Sequence, residues 1–359
     1  MTIHLFPHAE RTSSGAGYAF SGVTYWGMKK KVSSPKSPLA GDLTGAFADG
    51  AILFPLLAAL AIQTGMNGAM LLATAGAAYI SAGFVFRVPM SVQPLKSVVV
   101  SALALGAGAA EIGWSGFAVG VACLALSFCR ADRLAAMAPR HLVHGLQAAL
   151  GIMLMTKGVQ GGFSGADMHM QEALPEHAVR AKIVLALVLP QLALTLTNSV
   201  VGTHDAARRY FGDKAALVTP ARLLRSIGIG NILVAPLGGL PFCHGAGGVT
   251  AHVKGGAQSW RMNMIIGGAL LGLAAASLLL PVPLIPAYPK ILMAALLFAT
   301  GWFHLYLAVP SWKQAELRWS LVAMGIVALV TQNMLWVLGA GIFCEAFRKL
   351  RQKYMTEGT

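Results

Sequence analysis

Between residues 43 and 348 one apolar stretch follows another, most of them long enough to cross a lipid bilayer. The stretches read as 43–62, 66–86, 91–109, 112–129, 141–159, 181–203, 220–238, 243–258, 262–281, 288–309 and 318–348. A helix needs about 20 apolar residues to traverse hydrocarbon, so the chain is expected to be an all-α polytopic membrane protein. Its 359 residues are 56% hydrophobic and 11% charged, against about a quarter charged in a soluble domain. Two stretches, 91–109 and 243–258, are short, and each opens after a proline. The last is too long for one crossing and is expected to split near Gln332-Asn333 or Gly339-Gly341, giving about 12 segments.

The net charge of +14 is spread over short clusters between the spans: Lys29–Lys31 with Lys36, Arg130/Arg133/Arg140, Arg208/Arg209/Lys214 with Arg222/Arg225, Lys313/Arg318 and Arg348/Lys349/Arg351/Lys353. That distribution is the one expected of cytoplasmic loops. With no aromatic interleaving and no nucleic-acid motif, it excludes nucleic acid as a partner and leaves the lipid bilayer. Starting with the N-terminus inside, the basic clusters and both termini fall on the cytoplasmic side of a bacterial inner membrane. The acidic segment 161–178 (Asp167, Glu172, Glu176) falls outside. The expected organisation is a polar N-terminal extension (1–40), a first repeat (41–160), an outer loop (161–180), a second repeat (181–348) and a basic tail (349–359), with no soluble regulatory domain. Met28 before three lysines reads as an alternative start, and no signal-peptide core precedes it.

Cys123, Cys129, Cys243 and Cys344 form no CxxC pair and are read as free thiols. No HExxH, paired carboxylates or nucleophile–base pair is present at membrane depth, so an enzyme is not expected and neither is a cofactor. His244 and His252 are eight residues apart, about 12 Å along a helix, too far to share one metal ion. Gly65, Gly68, Gly76, Gly106, Gly108, Gly267 and Gly268 read as helix-packing positions.

The two short stretches resemble each other. "FRVPMSVQPLKSVVVSALALGAG" (86–108) and "GGLPFCHGAGGVTAHVKGGAQ" (238–258) both run from apolar-Pro-apolar through polar residues into a short helix. Each follows, about 50 residues on, a span with polar residues: "GDLTGAFADG" (41–50) and "PQLALTLTNSVVGTHDA" (190–206). Paired interrupted segments of opposite entry point to an inverted-repeat transporter with its substrate near the bilayer midplane. Bare backbone at that depth is tolerated only where it finds a partner or lines a cavity. A helix starting after Gly245, Gly247 and Gly248 aims its unbonded N–H groups at the centre, which suits an anion. Ser91, Gln93 and Pro94 stand at the equivalent place in the first half. Gln93, Lys96, Ser97 and Ser101, at i, i+3, i+4 and i+8, are expected on one face of the first short helix. Lys96 reads either as an anion contact or as a partner of Asp42 or Asp49. His244 reads as a substrate contact or as a packed buttress. Asn198 reads as a cavity residue, or with Thr195, Thr197 and Ser199 as helix-to-helix bonding.

"VPMSVQPLKS" (88–97) and "PFCHGAGGVTAHVKGGAQS" (241–259) are similar to the two signature motifs of the molybdate transporters related to the SulP sulfate permeases. "GDLTG" (41–45) and "LPQLALTLTNSVV" (189–201) resemble that family's other recurrent stretches. The resemblance implies a SulP-like fold of inverted repeats, with a core and a gate domain moving past one another. It implies import of molybdate held between the two short helices. It extends to Gln93, Pro94 and Lys96 in the first motif, and to His244, Gly245, Ala246, Gly247 and Gly248 in the second, with Asp42 and Asn198 in the accompanying stretches. The chain departs from the pattern at 160–180, a polar loop where two helices are expected, and at His252 and Lys254, where a Gln-x-Arg pattern is usual. Sulfate or another tetrahedral oxyanion, or a passive anion channel, remain alternatives. A coupled proton, with Asp42, Asp49, His204 and His244 as titrating candidates, and a second copy of the chain in a homodimer are further partners this reading admits.

Overall fold

The structure, a computed structural model, describes residues 37–129, 140–163, 181–279 and 290–357, which are predominantly helical. Residues 1–36 of the N-terminal extension, the Arg130/Arg133 group and segment 164–180 of the expected outer loop lie outside the described residues.

The first span is broken at its polar patch. Helix α1 (Pro38–Ala46) stops, and α2 (Gly50–Thr64) resumes after Asp49. Next come α3 (Gly68–Phe86), the short α4 (Lys96–Leu105), α5 (Ala109–Leu126) and α6 (Arg140–Phe163). The second half begins with α7 (Ala181–Leu194), which runs through a π-helical stretch, Thr195–Gly202, into α8 (Thr203–Phe211). It continues with α9 (Pro220–Val234), the short α10 (Ala246–Lys254), α11 (Arg261–Leu279) and α12 (Lys290–Tyr306). A single turn, α13 (Val309–Trp312), precedes α14 (Ala315–Thr331) and α15 (Met334–Glu357).

Among the described residues six helical stretches are long and apolar enough to cross a membrane. The over-long last span divides at Gln332, whose φ of 47° closes α14, and Asn333 accepts the Leu335 N–H to start α15. The basic tail is no separate strand of chain, because α15 carries it in helical form to Glu357.

The helices pack as two sets. In one, α3 lies along α11, and α5 lies along α9 and α7; in the other, α6 is flanked by α12, α14 and α15. The sets meet where α2 touches α12 and α4 touches α6. Lipid-embedded helices gain little from hydrophobic contact with one another, so backbone proximity decides these crossings. A Cβ on Gly151 or Gly301 would sit 2.5 Å from the carbonyl oxygen of the other. The same reciprocal approach is 2.8 Å for Gly76 with Gly267 and 3.0 Å for Gly120 with Gly228. Of the glycines expected to serve packing, Gly76 and Gly267 do so. Gly65 and Gly106 instead end α2 and α4 at φ 72° and 63°, which favours glycine, and Gly268 meets nothing within 4 Å. Gly301→Val is expected to lower thermal stability in detergent by several degrees by parting α12 from α6, whereas Gly268→Val leaves the melting temperature unchanged.

Candidate functional site

The two short polar stretches meet. Gln93–Pro94 forms strand β1 and Phe242–Cys243 forms β2, paired antiparallel with Gln93 opposite Cys243 and Pro94 opposite Phe242. Prolines carry no N–H and so keep the ladder short; one more bond, Leu95 N–H to Pro241 O at 2.9 Å, closes it. Each strand feeds its own short helix, so the antiparallel pairing sends α4 and α10 away from the centre in opposite directions. Their N-termini, where backbone N–H groups lack helical partners, therefore face the strand pair.

A two-residue strand leaves backbone groups without sheet partners, and two asparagines supply them. Asn231 on α9 accepts the Phe242 N–H at 2.9 Å and donates to Phe242 O at 2.7 Å. Asn263 on α11 accepts the Met90 N–H at 3.0 Å and donates to Met90 O at 2.7 Å and Tyr79 O at 3.2 Å. Both side chains are fully buried and act as the outer neighbours of the strand segments. No sequence motif marks them; the signal was only an amide within an apolar span. Asn263→Leu strands a backbone donor and an acceptor, each costing about 1–3 kcal/mol. Thermal unfolding of the purified variant is expected to show a clear drop in melting temperature.

The crossing is tied together by Ser91. Its hydroxyl accepts the Gly245 N–H at 3.0 Å and donates to Gly245 O at 2.8 Å, while its own carbonyl lies 2.8 Å from His244 Nδ1. His244 Nδ1 must donate there, so Nε2 accepts from the Ser226 hydroxyl at 2.9 Å. Both ring nitrogens of His244 are thus engaged with protein, and the ring stands edge-on to Phe86 at 5.1 Å.

Gln93 and Asp49 form the next layer. Gln93 Nε2 donates to Asp49 Oδ2 at 2.6 Å, and both residues are buried. A Cβ on Gly245 would collide with Gln93 Oε1. One on Gly248 would meet Ser91 Cβ at 2.5 Å and Asp49 Oδ2 and Gln93 Nε2 at 2.6 Å each. These glycines therefore admit side chains of the other half rather than standing open. Gly247 faces the opposite way, with Phe303 of α12 at 3.4 Å from its Cβ position.

The helical face expected for Gln93, Lys96, Ser97 and Ser101 is not formed, because Gln93 and Pro94 lie on a strand and the helix begins only at Lys96. Lys96 is buried, within electrostatic range of Asp49 and Cys243. Among the described residues it forms neither a hydrogen bond nor an ion pair with them. The N-terminus of α4 receives a residue the sequence reading passed over: Gln191 Oε1 accepts the Ser97 N–H at 3.0 Å, and Gln191 Nε2 donates to Thr195 Oγ1 at 3.1 Å. Asn198, half-buried, lies on the π-helical stretch; one turn on, Gly202 approaches Ala246, the first residue of α10. Such stretches occur often at functional sites.

Asp42 sits elsewhere. It accepts from Gln258 N at 2.7 Å, Ser259 N at 2.9 Å and the Ser259 hydroxyl, so it locks α1 to the chain beyond the C-terminal end of α10. Nine residues of helix, about 13 Å, separate that end from the strand pair. The nearby His252 donates to Gly45 O at 2.7 Å. Asp49, weighed from sequence only as a lysine partner or titrating group, is the carboxylate among the crossing residues.

Several polar atoms of this centre are buried without a hydrogen-bond partner among the described residues: Asp49 Oδ1, Gln93 Oε1, Ser97 Oγ and Ser101 Oγ. Native interiors rarely leave such atoms unbonded unless a ligand, ion or water completes them. Of these, the Ser97 and Ser101 hydroxyls can donate, and with a buried ammonium and two helix N-termini beside them they suit a small anion with several acceptor oxygens. Gln93 Oε1, and Asp49 Oδ1 unless protonated, are acceptors that such an anion does not complete. No group of three or more metal-ligating side chains occurs among the described residues.

A family profile described as "Molybdate transporter of MFS superfamily" matches residues 41–154 and 183–303. Molybdate transporter 1 of Chlamydomonas reinhardtii is 38% identical over 119 residues, covering 32% of this chain and 22% of that protein. Molybdate transporter 2 of Arabidopsis thaliana is 25% identical over 169 residues, 46% of this chain and 35% of that protein. The matched stretches thus span between about a fifth and a third of the length of these curated relatives. The fold is shared with the transmembrane domain of a cyanobacterium bicarbonate transporter, BicA, at TM-score 0.53 and 17% identity, covering 85% of this chain and 97% of that one. It is shared too with SLC26A9 at TM-score 0.57 and 12% identity, covering 88% and 66%. The SulP-like architecture expected from the sequence is therefore the one observed.

Proposed function

The chain belongs to the molybdate transporter family, and on that premise we propose that it carries molybdate across the membrane, with the dianion held between the N-termini of α4 and α10. The observation that carries this reading is Lys96: a buried ammonium at the first turn of one half-helix, unpaired among the described residues, on the side where the other half-helix begins. A tetrahedral dianion there accepts from Lys96, from the Ser97 and Ser101 hydroxyls and from the first N–H groups of α10 at Ala246, Gly247 and Gly248. Gln93 and His244 set the distance between the halves, and Pro94 keeps β1 short. Asn198 borders the same opening from the π-helical stretch.

Residues 41–160 and 181–348 act as inverted repeats, with the β1–β2 pair between them. Alternating access comes from sliding of the set built on α6, α12, α14 and α15 past the set that carries the half-helices. The basic loops and both termini face the cytoplasm. If transport is coupled to a proton, Asp49 is the carrier best placed. His244 and Asp42 spend their polar atoms on the protein, and His204 is bonded to Val218 O, whereas Asp49 keeps an unbonded oxygen at the centre.

Sulfate is the second reading, because a lysine and backbone N–H groups accept any tetrahedral dianion. Uptake of radiolabelled molybdate at nanomolar concentration into cells expressing the chain, with and without a large excess of sulfate, separates them. Uptake that resists sulfate and builds up against a gradient is the expected result. Uptake abolished by sulfate identifies a general oxyanion carrier, accumulation that never exceeds the gradient identifies a channel, and none at all rejects molybdate transport.

A further inference from the structure

The last turn of α12 brings to this centre a residue that no sequence motif marked. His304 is 3% exposed, and among the described residues neither Nδ1 nor Nε2 has a hydrogen-bond partner. Its ring lies within electrostatic reach of Lys96. The preceding residue, Phe303, is the one that abuts Gly247 at the start of α10. An imidazole always carries at least one ring N–H donor and, when neutral, one acceptor. Burying both with nothing to bond disfavours the folded state, and any apolar side chain of similar size would avoid that penalty. Thr300, one turn earlier on the same helix, shows the opposite pattern: its hydroxyl donates to Ala51 O at 3.1 Å, pinning α12 to the start of α2. The helix is therefore held in register against the half that carries Asp49, which keeps His304 within electrostatic reach of Lys96.

We propose that His304 is an oxyanion ligand supplied from the opposite helix set: a ring N–H donates to one oxygen of the tetrahedral dianion whose other oxygens face Lys96 and the N-terminus of α10. This deepens the transport reading above and rests on it. Lys96 and α10 belong to the set containing the half-helices, and His304 belongs to the set packed on α6. The bound anion then bridges both sets, and its coordination is complete only while α12 lies against α10. Phe303 on Gly247 fixes that approach.

The test compares wild type, His304→Leu and His304→Gln in the full chain. It reads both radiolabelled molybdate uptake and the melting temperature of purified protein with and without molybdate. His304→Leu removes the two unbonded nitrogens, so its ligand-free melting temperature is expected to equal or exceed that of wild type. Its molybdate-induced rise is expected to vanish, and its KM for uptake to increase by about tenfold to a hundredfold, the range for one hydrogen bond to a charged group. His304→Gln keeps an N–H donor and is expected to recover part of the affinity, which a purely packing role does not predict. A wild-type KM and an undiminished molybdate-induced rise in His304→Leu overturn the assignment. So does a KM raised equally in both variants. Should wild type show neither uptake nor a molybdate-induced rise, the transport reading fails and takes the ligand role with it, an outcome visible before any variant is compared.

Discussion

Lys96→Ala is expected to reduce molybdate uptake at nanomolar concentration by about a hundredfold, with the amount of protein reaching the membrane unchanged. Among the described residues the lysine makes no hydrogen bond or ion pair, so its removal costs little packing; it removes the positive charge at the first turn of α4. A charge-assisted hydrogen bond to a bound anion contributes about 1.5–3 kcal/mol, and each 1.4 kcal/mol is about a tenfold change in affinity. Saturating molybdate is expected to restore much of the rate. Unchanged uptake at low concentration would remove Lys96 from the site.

Gly248→Val is expected to abolish uptake outright. A side chain there collides with Ser91, Asp49 and Gln93 at once, at 2.5–2.6 Å. None of the three can step aside cheaply. Ser91 is bonded in both directions to Gly245, and Gln93 and Asp49 are bonded to each other in a buried layer. Relief requires α10 to back away from β1, which opens the gap between the two helix starts. Overpacking of this kind costs about 1–3 kcal/mol in stability, so the variant is expected to remain folded but inert. Gly268→Val, where nothing lies within 4 Å, is the matched control and should transport as wild type does. Normal uptake by Gly248→Val would mean that the approach of α10 to β1 does not govern transport.

The sequence showed the architecture because the bilayer imposes a simple rule. Long apolar runs separated by basic loops leave few alternatives, and the two proline-led short stretches had no use as crossings. It also singled out two stretches that meet in the fold, since "SVQPLKS" and "PFCHGAGG" pair through Gln93–Cys243 and Pro94–Phe242. What it could not resolve was which side chain of each stretch does what, because the deciding partners lie far off in the chain. Asn263 meets Met90 across 173 positions, and Gln191 meets Ser97 across 94. Asp42 and Asp49 stand in the same short run, yet a break after α1 sends one to Ser259 and the other to Gln93. A histidine in the apolar helix 290–306 carries no signal until its surroundings show that both ring nitrogens lack a partner among the described residues.

Molybdenum itself offers the decisive measurement. Crystals grown with molybdate and measured at the molybdenum absorption edge report the metal's position without any assumption about the site. One anomalous peak is expected beside the β1–β2 pair, within contact distance of Lys96, the Gly247 N–H and His304. A strong peak elsewhere in the protein, or none at a molybdate concentration that saturates uptake, would contradict binding between the two half-helices.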